Sequence, residues 1–312
     1  MKNTNDIIKA FDNSEDHIEQ LQLKLRSELN GLPLMTRAIN KNQKIFRCRN
    51  IKKVSDYPLF ENEISYRPDK ENITSIGRCN WERSSKFYGS IQSDELPGDV
   101  TAISEISSLI QNDKEGSEQY AVGVWEATET FSLMVIKPPS LKLPDSKVVT
   151  EFRNVFNKEL ENNQVTDDKK EFLELYGREM IKKVFPNENE KYTLSALVSE
   201  TILDYQPGMI YTSVQSAHKG LNVVMNTNDF DNHFYLKHVV IGEFFKFKNI
   251  SAFRPTLVCA NPRKTPFHYE LPPEKERSTN EEIIALFERQ GIPHSYIVDI
   301  LTRQMAQAVE KV

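Results

Sequence analysis

Six side chains, grouped in short segments, carry most of the chemistry this chain offers. Arg47 and Arg49 lie in Ile45-Phe46-Arg47-Cys48-Arg49 and Arg78 in Gly77-Arg78-Cys79-Asn80. Tyr88 lies in Lys86-Phe87-Tyr88-Gly89-Ser90, Glu105 ends Thr101-Ala102-Ile103-Ser104-Glu105, and Ser213 ends Gly208-Met209-Ile210-Tyr211-Thr212-Ser213. A guanidinium fork grips phosphate oxygens in pairs, which an ammonium does less well. A glycine before Arg78 permits close backbone approach. A helix carboxylate can stabilise developing positive charge. No His–Asp pair can be placed beside Ser213 from sequence, so it does not read as a hydrolase nucleophile. Each residue also fits an ordinary place: a strand arginine in a surface ion pair, a turn arginine, a core tyrosine, a solvated helix glutamate.

Other chemistries are excluded by pattern. GxGxxG, the phosphate-cradling GxxxxGK[ST], HExxH and GxSxG are all missing. The six histidines are dispersed without metal-ligand spacing, so no tightly bound metal is expected. Cys48, Cys79 and Cys259 form no CxxC pair and no even disulfide framework. The 40 basic and 45 acidic residues leave a net charge of −5, which argues against a nucleic-acid partner. Phe244-Phe245-Lys246-Phe247-Lys248 interleaves rings and cations, but reads better as an edge or surface strand than as a base-stacking platform. No apolar run approaches the roughly 20 residues that span a bilayer, and the first residues show no secretory signal. A cytoplasmic globular protein without a membrane partner is expected.

The elements that must position these residues follow from periodicity. A helix over 14–29, capped by Ser14 with Glu15 and Asp16 in its first turn, places Ile18, Leu21, Leu25 and Leu29 on one face, and Gly31 and Pro33 stop it. Strands are expected at 44–51, 85–91, 208–213, 221–226 and 236–248, with one or two more over 119–136. Alternation puts Arg47 and Arg49 on one face. Residues 56–80 read as loop. One helix is expected over 100–111 on Val100, Ile103, Ile106 and Ile110, preceded by a small loop expansion at Leu96-Pro97-Gly98-Asp99. After Lys137-Pro138-Pro139 come two helices, carrying Phe152, Val155, Phe156 and Leu160, then Phe172, Leu175, Tyr176 and Met180, with Pro186 ending the second. Another, capped by Thr193, spans 193–204. Pro255 to Pro273, with five prolines, reads as irregular. Helices near 280–290 and 295–310 complete an α+β chain, the last with Ile297, Ile300, Leu301, Met305 and Val309.

Taken in order, these segments resemble the RES domain, named for Arg, Glu and Ser. The match is an FRxR strand, a GRxN loop, an FYGS-type strand, a TAISE-type helix, a GxxYxS strand and the GxN strand Gly220-Leu221-Asn222, over roughly residues 44–250. The resemblance implies a fold related to the ADP-ribosyltransferases, a split curved β core with flanking helices that holds NAD in a cleft. It divides the chain into an N-terminal helical extension (1–43), the core domain (44–255) and a C-terminal helical extension (256–312). It implies cleavage of the nicotinamide–ribose bond and transfer of ADP-ribose to phosphate, water or a protein, by a toxin held in check by an antitoxin protein. Glu105 would stabilise the oxocarbenium-like ribose, Arg47 would hold the pyrophosphate with Arg49 sharing that role, and Arg78 would be a second phosphate or ribose contact. Tyr88 would stack on nicotinamide, and Ser213 would bond the ribose or amide. Asn222 and His218 read as local hydrogen bonders rather than ligand contacts. Two other readings stand beside this one: a non-catalytic module binding NAD, ADP-ribose or a protein, and an interaction protein built on the terminal amphipathic helices.

Overall fold

The computed structural model describes Leu23, Leu25, Arg26, Leu29, residues 35–184 and residues 188–309. Most of the expected helix over 14–29, including Ser14, Ile18 and Leu21, lies outside the described residues, as does Pro186. Leu25 and Leu29 are helical, and Leu25 is buried against the core. The fold is α+β, with one nine-stranded mixed sheet and, among the described residues from 35 onward, eight α-helices.

The strands are β1 (Thr36–Ile39), β2 (Lys44–Ile51), β3 (Lys86–Ile91), β4 (Gly116–Ala127), β5 (Phe131–Val135), β6 (Gly208–Thr212), β7 (Leu221–Asn226), β8 (Phe234–Phe247) and β9 (Ile250–Cys259). Their order across the sheet is β1-β5-β6-β7-β3-β2-β4-β8-β9. All neighbours are antiparallel except β5 and β6. β2 pairs with β4 from Lys44 to Ile51, and β3 with β7 from Lys86 to Ile91. β2 and β3 pair with each other only at Ile45↔Ile91 and Phe46↔Ser90. The sheet is therefore two well-paired halves joined by a short seam.

The odd positions of the central strands face one core, with Ile45, Phe87, Ile91, Val223 and Met225 buried together. Helix α3 (Lys147–Asn162) contributes Phe152 and Phe156 to that core through its i, i+4 spacing. The short helix α6 (Thr227–His233) adds Phe230, whose ring stacks on Phe87 at 3.7 Å and meets Trp125 edge-on at 4.8 Å. On the other face, α4 (Asp167–Met180) and α5 (Thr193–Leu203) cover Met134, Met209, Tyr211 and Val224. Beside them α1 (Gly98–Ile106) and α2 (Ser108–Gln111) cover Val122, Val124 and Phe244. The final helices α7 (Asn280–Arg289) and α8 (His294–Val309) pack on Phe245 and Phe247.

Several expected elements change in the structure. The helix expected over 100–111 is two helices, because Ser107 leaves α1 in an extended conformation and its side chain caps α2. Leu96–Asp99 is not a loop expansion: Gly98 and Asp99 are the first turn of α1. Thr193 is the first residue of α5 rather than its cap, and α4 ends at Met180. The aromatic–lysine stretch lies inside the sheet, between β4 and β9, with Phe244, Phe245 and Phe247 all buried and Lys246 paired to Asp113. Residues 250–259 form an edge strand despite Pro255, which sits beside the register shift at Ile241/Gly242, where a missing N–H costs least. The sheet thus draws on both flanking segments: β1 comes from residues 1–43, and β9 runs across residue 255.

One buried ion pair anchors the Lys137-Pro138-Pro139 crossing. Lys137 Nζ lies 2.9 Å from Glu174 Oε2 on α4, and Ser140 donates to the same carboxylate from both N–H and Oγ. Burial alone pushes the Glu174 carboxyl up, but Lys137 and Ser140 outweigh it and hold the group below its ordinary value. A depressed carboxyl contributes stability above the unfolded value, and that contribution disappears as the pH falls through the folded one. Glu174→Gln is expected to lower stability at neutral pH, with the gap from wild type narrowing on acidification; urea unfolding across pH measures this. Phe230→Ala, which empties the centre of the aromatic cluster, is expected to cost about 3–5 kcal/mol in the same measurement.

Candidate active site between the parted strands

The site forms where the seam ends. Beyond Phe46 and Ser90 the strands β2 and β3 no longer pair. The Tyr88 carbonyl on that side of β3 accepts instead from Arg47 Nη1 at 2.7 Å. A side chain therefore takes the place of a ladder bond, as a buried carbonyl requires. The Arg47 guanidinium also lies over the Phe87 ring, 5.6 Å from its centroid. Burial draws its pKa down to about 10, so it stays charged at neutral pH.

A pocket of about 280 Å³ opens at this point, lined by Arg47, Tyr88, Ser90, Glu105, Tyr211 and Asn222 among others. Phe46, Ser90, Asn222 and Tyr211 stand directly opposite one another on β2, β3, β7 and β6. They form one row across the sheet under α1. The helix comes down close to that row because its first residue is glycine: a Cβ on Gly98 would lie 2.4 Å from the Phe46 ring. Ala102, Glu105 and Ile106, spaced i, i+3, i+4, face the pocket. Ile106 is thus on the same face as Glu105 and is 38% exposed, whereas Ile103 points into the core.

Glu105 is held from β7 and from the residue that follows β6. Ser213 Oγ donates to its Oε1 at 2.5 Å, and Asn222 Nδ2 donates to the same oxygen at 2.7 Å. Ser90 Oγ donates to Asn222 Oδ1 at 2.9 Å, and the Ser216 N–H donates to Ser213 Oγ at 3.2 Å. The turn after Ser213 carries Ala217 and His218 at φ of 51° and 65°, the left-handed region that side chains disfavour. The His218 N–H closes that turn on the Ser213 carbonyl, and its ring, buried against Thr212, is pushed towards the neutral form by burial and then by Arg153 and Arg78.

The expected site residues divide into three groups. Arg47, Tyr88 and Glu105 line the pocket together. Ser213 is fully buried behind Glu105, with its hydroxyl committed to that carboxylate, so it supports the site rather than facing a ligand. Arg49 and Arg78 turn elsewhere. Arg49 reaches the carboxylate of Glu63 at 3.6 Å on the exposed side of β2. Arg78 donates to the Met180 and Lys182 carbonyls at 2.6 and 2.9 Å and lies over the Tyr192 ring, so it binds the C-terminal end of α4. Its neighbour Gly77 is needed by the loop itself: a Cβ there would lie 2.3 Å from Asn80 Oδ1. The Tyr88 hydroxyl ties that loop to β3, donating to Asn80 Oδ1 and accepting from the Cys79 N–H. The Tyr88 phenol, pushed up by burial, stays protonated.

Asn222, whose residue type and place in Gly-x-Asn suggest only a local hydrogen bonder, also lines the pocket. The signal available was an asparagine within the apolar run Leu221-Asn222-Val223-Val224-Met225 of β7, where asparagine is depleted. Cys48 also lines the pocket, its thiol pushed up by burial and so neutral. No helix among the described residues is long and apolar enough to cross a membrane. Compared with known protein families and with curated proteins, the chain matches none. Because Arg78 holds the end of α4, Arg78→Ala is expected to lower stability by about 1–3 kcal/mol, read by urea unfolding, with a loss far larger than Arg49→Ala produces.

Proposed function

We propose that this protein cleaves NAD at the nicotinamide–ribose bond and passes ADP-ribose to phosphate, water or a protein acceptor. The observation that carries this reading is the Glu105 carboxylate, held by two donors in a pocket that Arg47 and Tyr88 also line. That combination suits a substrate with an anionic phosphate, a flat cationic ring and a sugar that becomes positively charged. The parted sheet also supports it, since a split core is what an ADP-ribosyltransferase-like fold requires.

In this reading the C1′–N1 bond breaks and its electron pair neutralises the nicotinamide ring. The ribose becomes oxocarbenium-like, and Glu105 stabilises that charge. An oxygen of phosphate, water or a protein side chain then forms the new bond to C1′, and an acceptor that attacks as water or a neutral hydroxyl releases its proton to solvent. Arg47, with one N–H on Tyr88, has the rest of its fork for the pyrophosphate. Tyr88 walls the nicotinamide side and releases the ring once it is neutral. No metal enters these steps, because the leaving group is already cationic. Such a reaction belongs in the cytoplasm where NAD is, and uncontrolled NAD loss calls for an inhibiting antitoxin partner.

A second reading is a module that binds NAD or ADP-ribose without turnover. The observation in its favour is that Arg49 and Arg78 bind the protein itself, leaving fewer cations for a dinucleotide. The two separate in one experiment: incubation with NAD, with and without phosphate, followed by mass spectrometry. Nicotinamide release is expected, and Glu105→Gln is expected to reduce it by about 10²–10³-fold or more. Binding of NAD with no nicotinamide formed would establish the module instead.

A further inference from the structure

We propose that Asn222 is a positioning residue that, together with Ser213, loads one oxygen of Glu105 and presents the other to the reacting ribose. This rests on the reading of the pocket just given.

Both donors meet Oε1, so neither occupies Oε2. Two bonds to one oxygen, from β7 and from the residue after β6, fix the torsion of the carboxylate, which a single bond leaves free to swing. The orientation of the Asn222 amide is itself determined. Its Oδ1 accepts from Ser90 and its Nδ2 faces Glu105. A flipped amide would set a carbonyl oxygen against a carboxylate oxygen, which is repulsive. Asn222 is 4% exposed and lies within a paired strand, so neither a turn nor solvent accounts for it. Ser90, Asn222 and Glu105 come from β3, β7 and α1 and converge only in the folded chain. The titratable groups facing this point are Glu105 from α1, Arg47 and Cys48 from β2, Tyr88 from β3, Tyr211 from β6 and Tyr192 from the turn before α5.

The test is Asn222→Asp, which keeps shape and replaces a donor with an acceptor. When ionised, the introduced carboxylate repels Glu105; when protonated, it donates to Oε1 as the amide does. The turnover number for nicotinamide release at neutral pH is expected to fall roughly 10- to 100-fold, the range of one hydrogen bond to a charged group. KM for NAD is expected to hold, and activity is expected to recover as the pH is lowered, an acid recovery the wild type lacks. Thermal unfolding gives a readout independent of turnover. Asn222→Asp is expected to unfold below wild type at neutral pH, with the gap closing in acid, because the folded carboxyl pair retains a proton. Adding Glu105→Gln is expected to restore the unfolding temperature without restoring activity, since donor and acceptor are then exchanged. Ser90→Ala is the milder variant: it releases the amide and is expected to lower turnover less, again at constant KM.

Unfolding of Asn222→Asp at the wild-type temperature at every pH would show that the contact is not made and overturn the proposal. The stability pattern with an unchanged pH–activity profile would make Asn222 merely structural, and also overturn it. A wild type that cleaves no NAD would instead overturn the reading of the pocket and the ribose role with it, while the stability cycle would still report the Asn222–Glu105 contact.

Discussion

The structure turns on the early end of pairing between β2 and β3. Each strand is fully paired on its outer side, to β4 and β7, and they share only two residue pairs with each other. Had the ladder continued, Arg47 would have stood opposite Gly89 and the gap would have closed. Instead the strands diverge, the Tyr88 carbonyl loses a backbone partner, and the Arg47 guanidinium supplies the replacement. That exchange needs a long, multidentate donor that remains charged when half-buried, which is the physical case for arginine over lysine. The opening that results is the pocket.

Everything else at the site serves to place one carboxylate at that opening. Helix α1 is seated by Gly98 against Phe46, a member of the seam itself, so the helix that carries Glu105 is referenced to the strands that part. Ser213 and Asn222 then reach Glu105 from the strand end of β6 and from β7. Ser90, Ser213 and Asn222 are buried polar groups, each with a partner, as a low-dielectric interior demands. The backbone after Ser213 adopts left-handed conformations at Ala217 and His218, which the surrounding bonds hold in place.

The arginines illustrate how similar side chains diverge in role. Arg47 and Arg49 share a strand face by alternation, and both match one short motif. Yet the face splits along its length: at Arg47 the strand borders the gap, and two residues on it borders the loop that carries Glu63. Arg78 lies in a loop that folds back under α4, where orphan carbonyls at the helix end take its donors. Neither outcome is visible in residue type or spacing. Similarly, the helix over 100–111 has a continuous apolar repeat, and its break at Ser107 follows from a capping competition that periodicity does not register.

Local pattern was enough to place most strands and helices, because burial on one face imposes a period of two or 3.6 on the chain. Short segments kept in order also singled out six side chains, of which the folded chain brings Arg47, Tyr88 and Glu105 to one pocket. Pattern failed where the partner is distant in sequence. Pro255 stays in a strand because β9 is an edge; the Phe244–Lys248 stretch is covered on both faces because α1, α2, α7 and α8 pack there. The commitment of Ser213 to Glu105, more than a hundred residues away, and the bridging of Ser90 to Glu105 by Asn222 depend on three elements meeting at one point. The amino-acid sequence by itself determined which side chains are chemically capable and which elements carry them. Only the tertiary structure decided which of them face the pocket, because hydrogen-bond partners and the gap between β2 and β3 exist only once the strands are side by side.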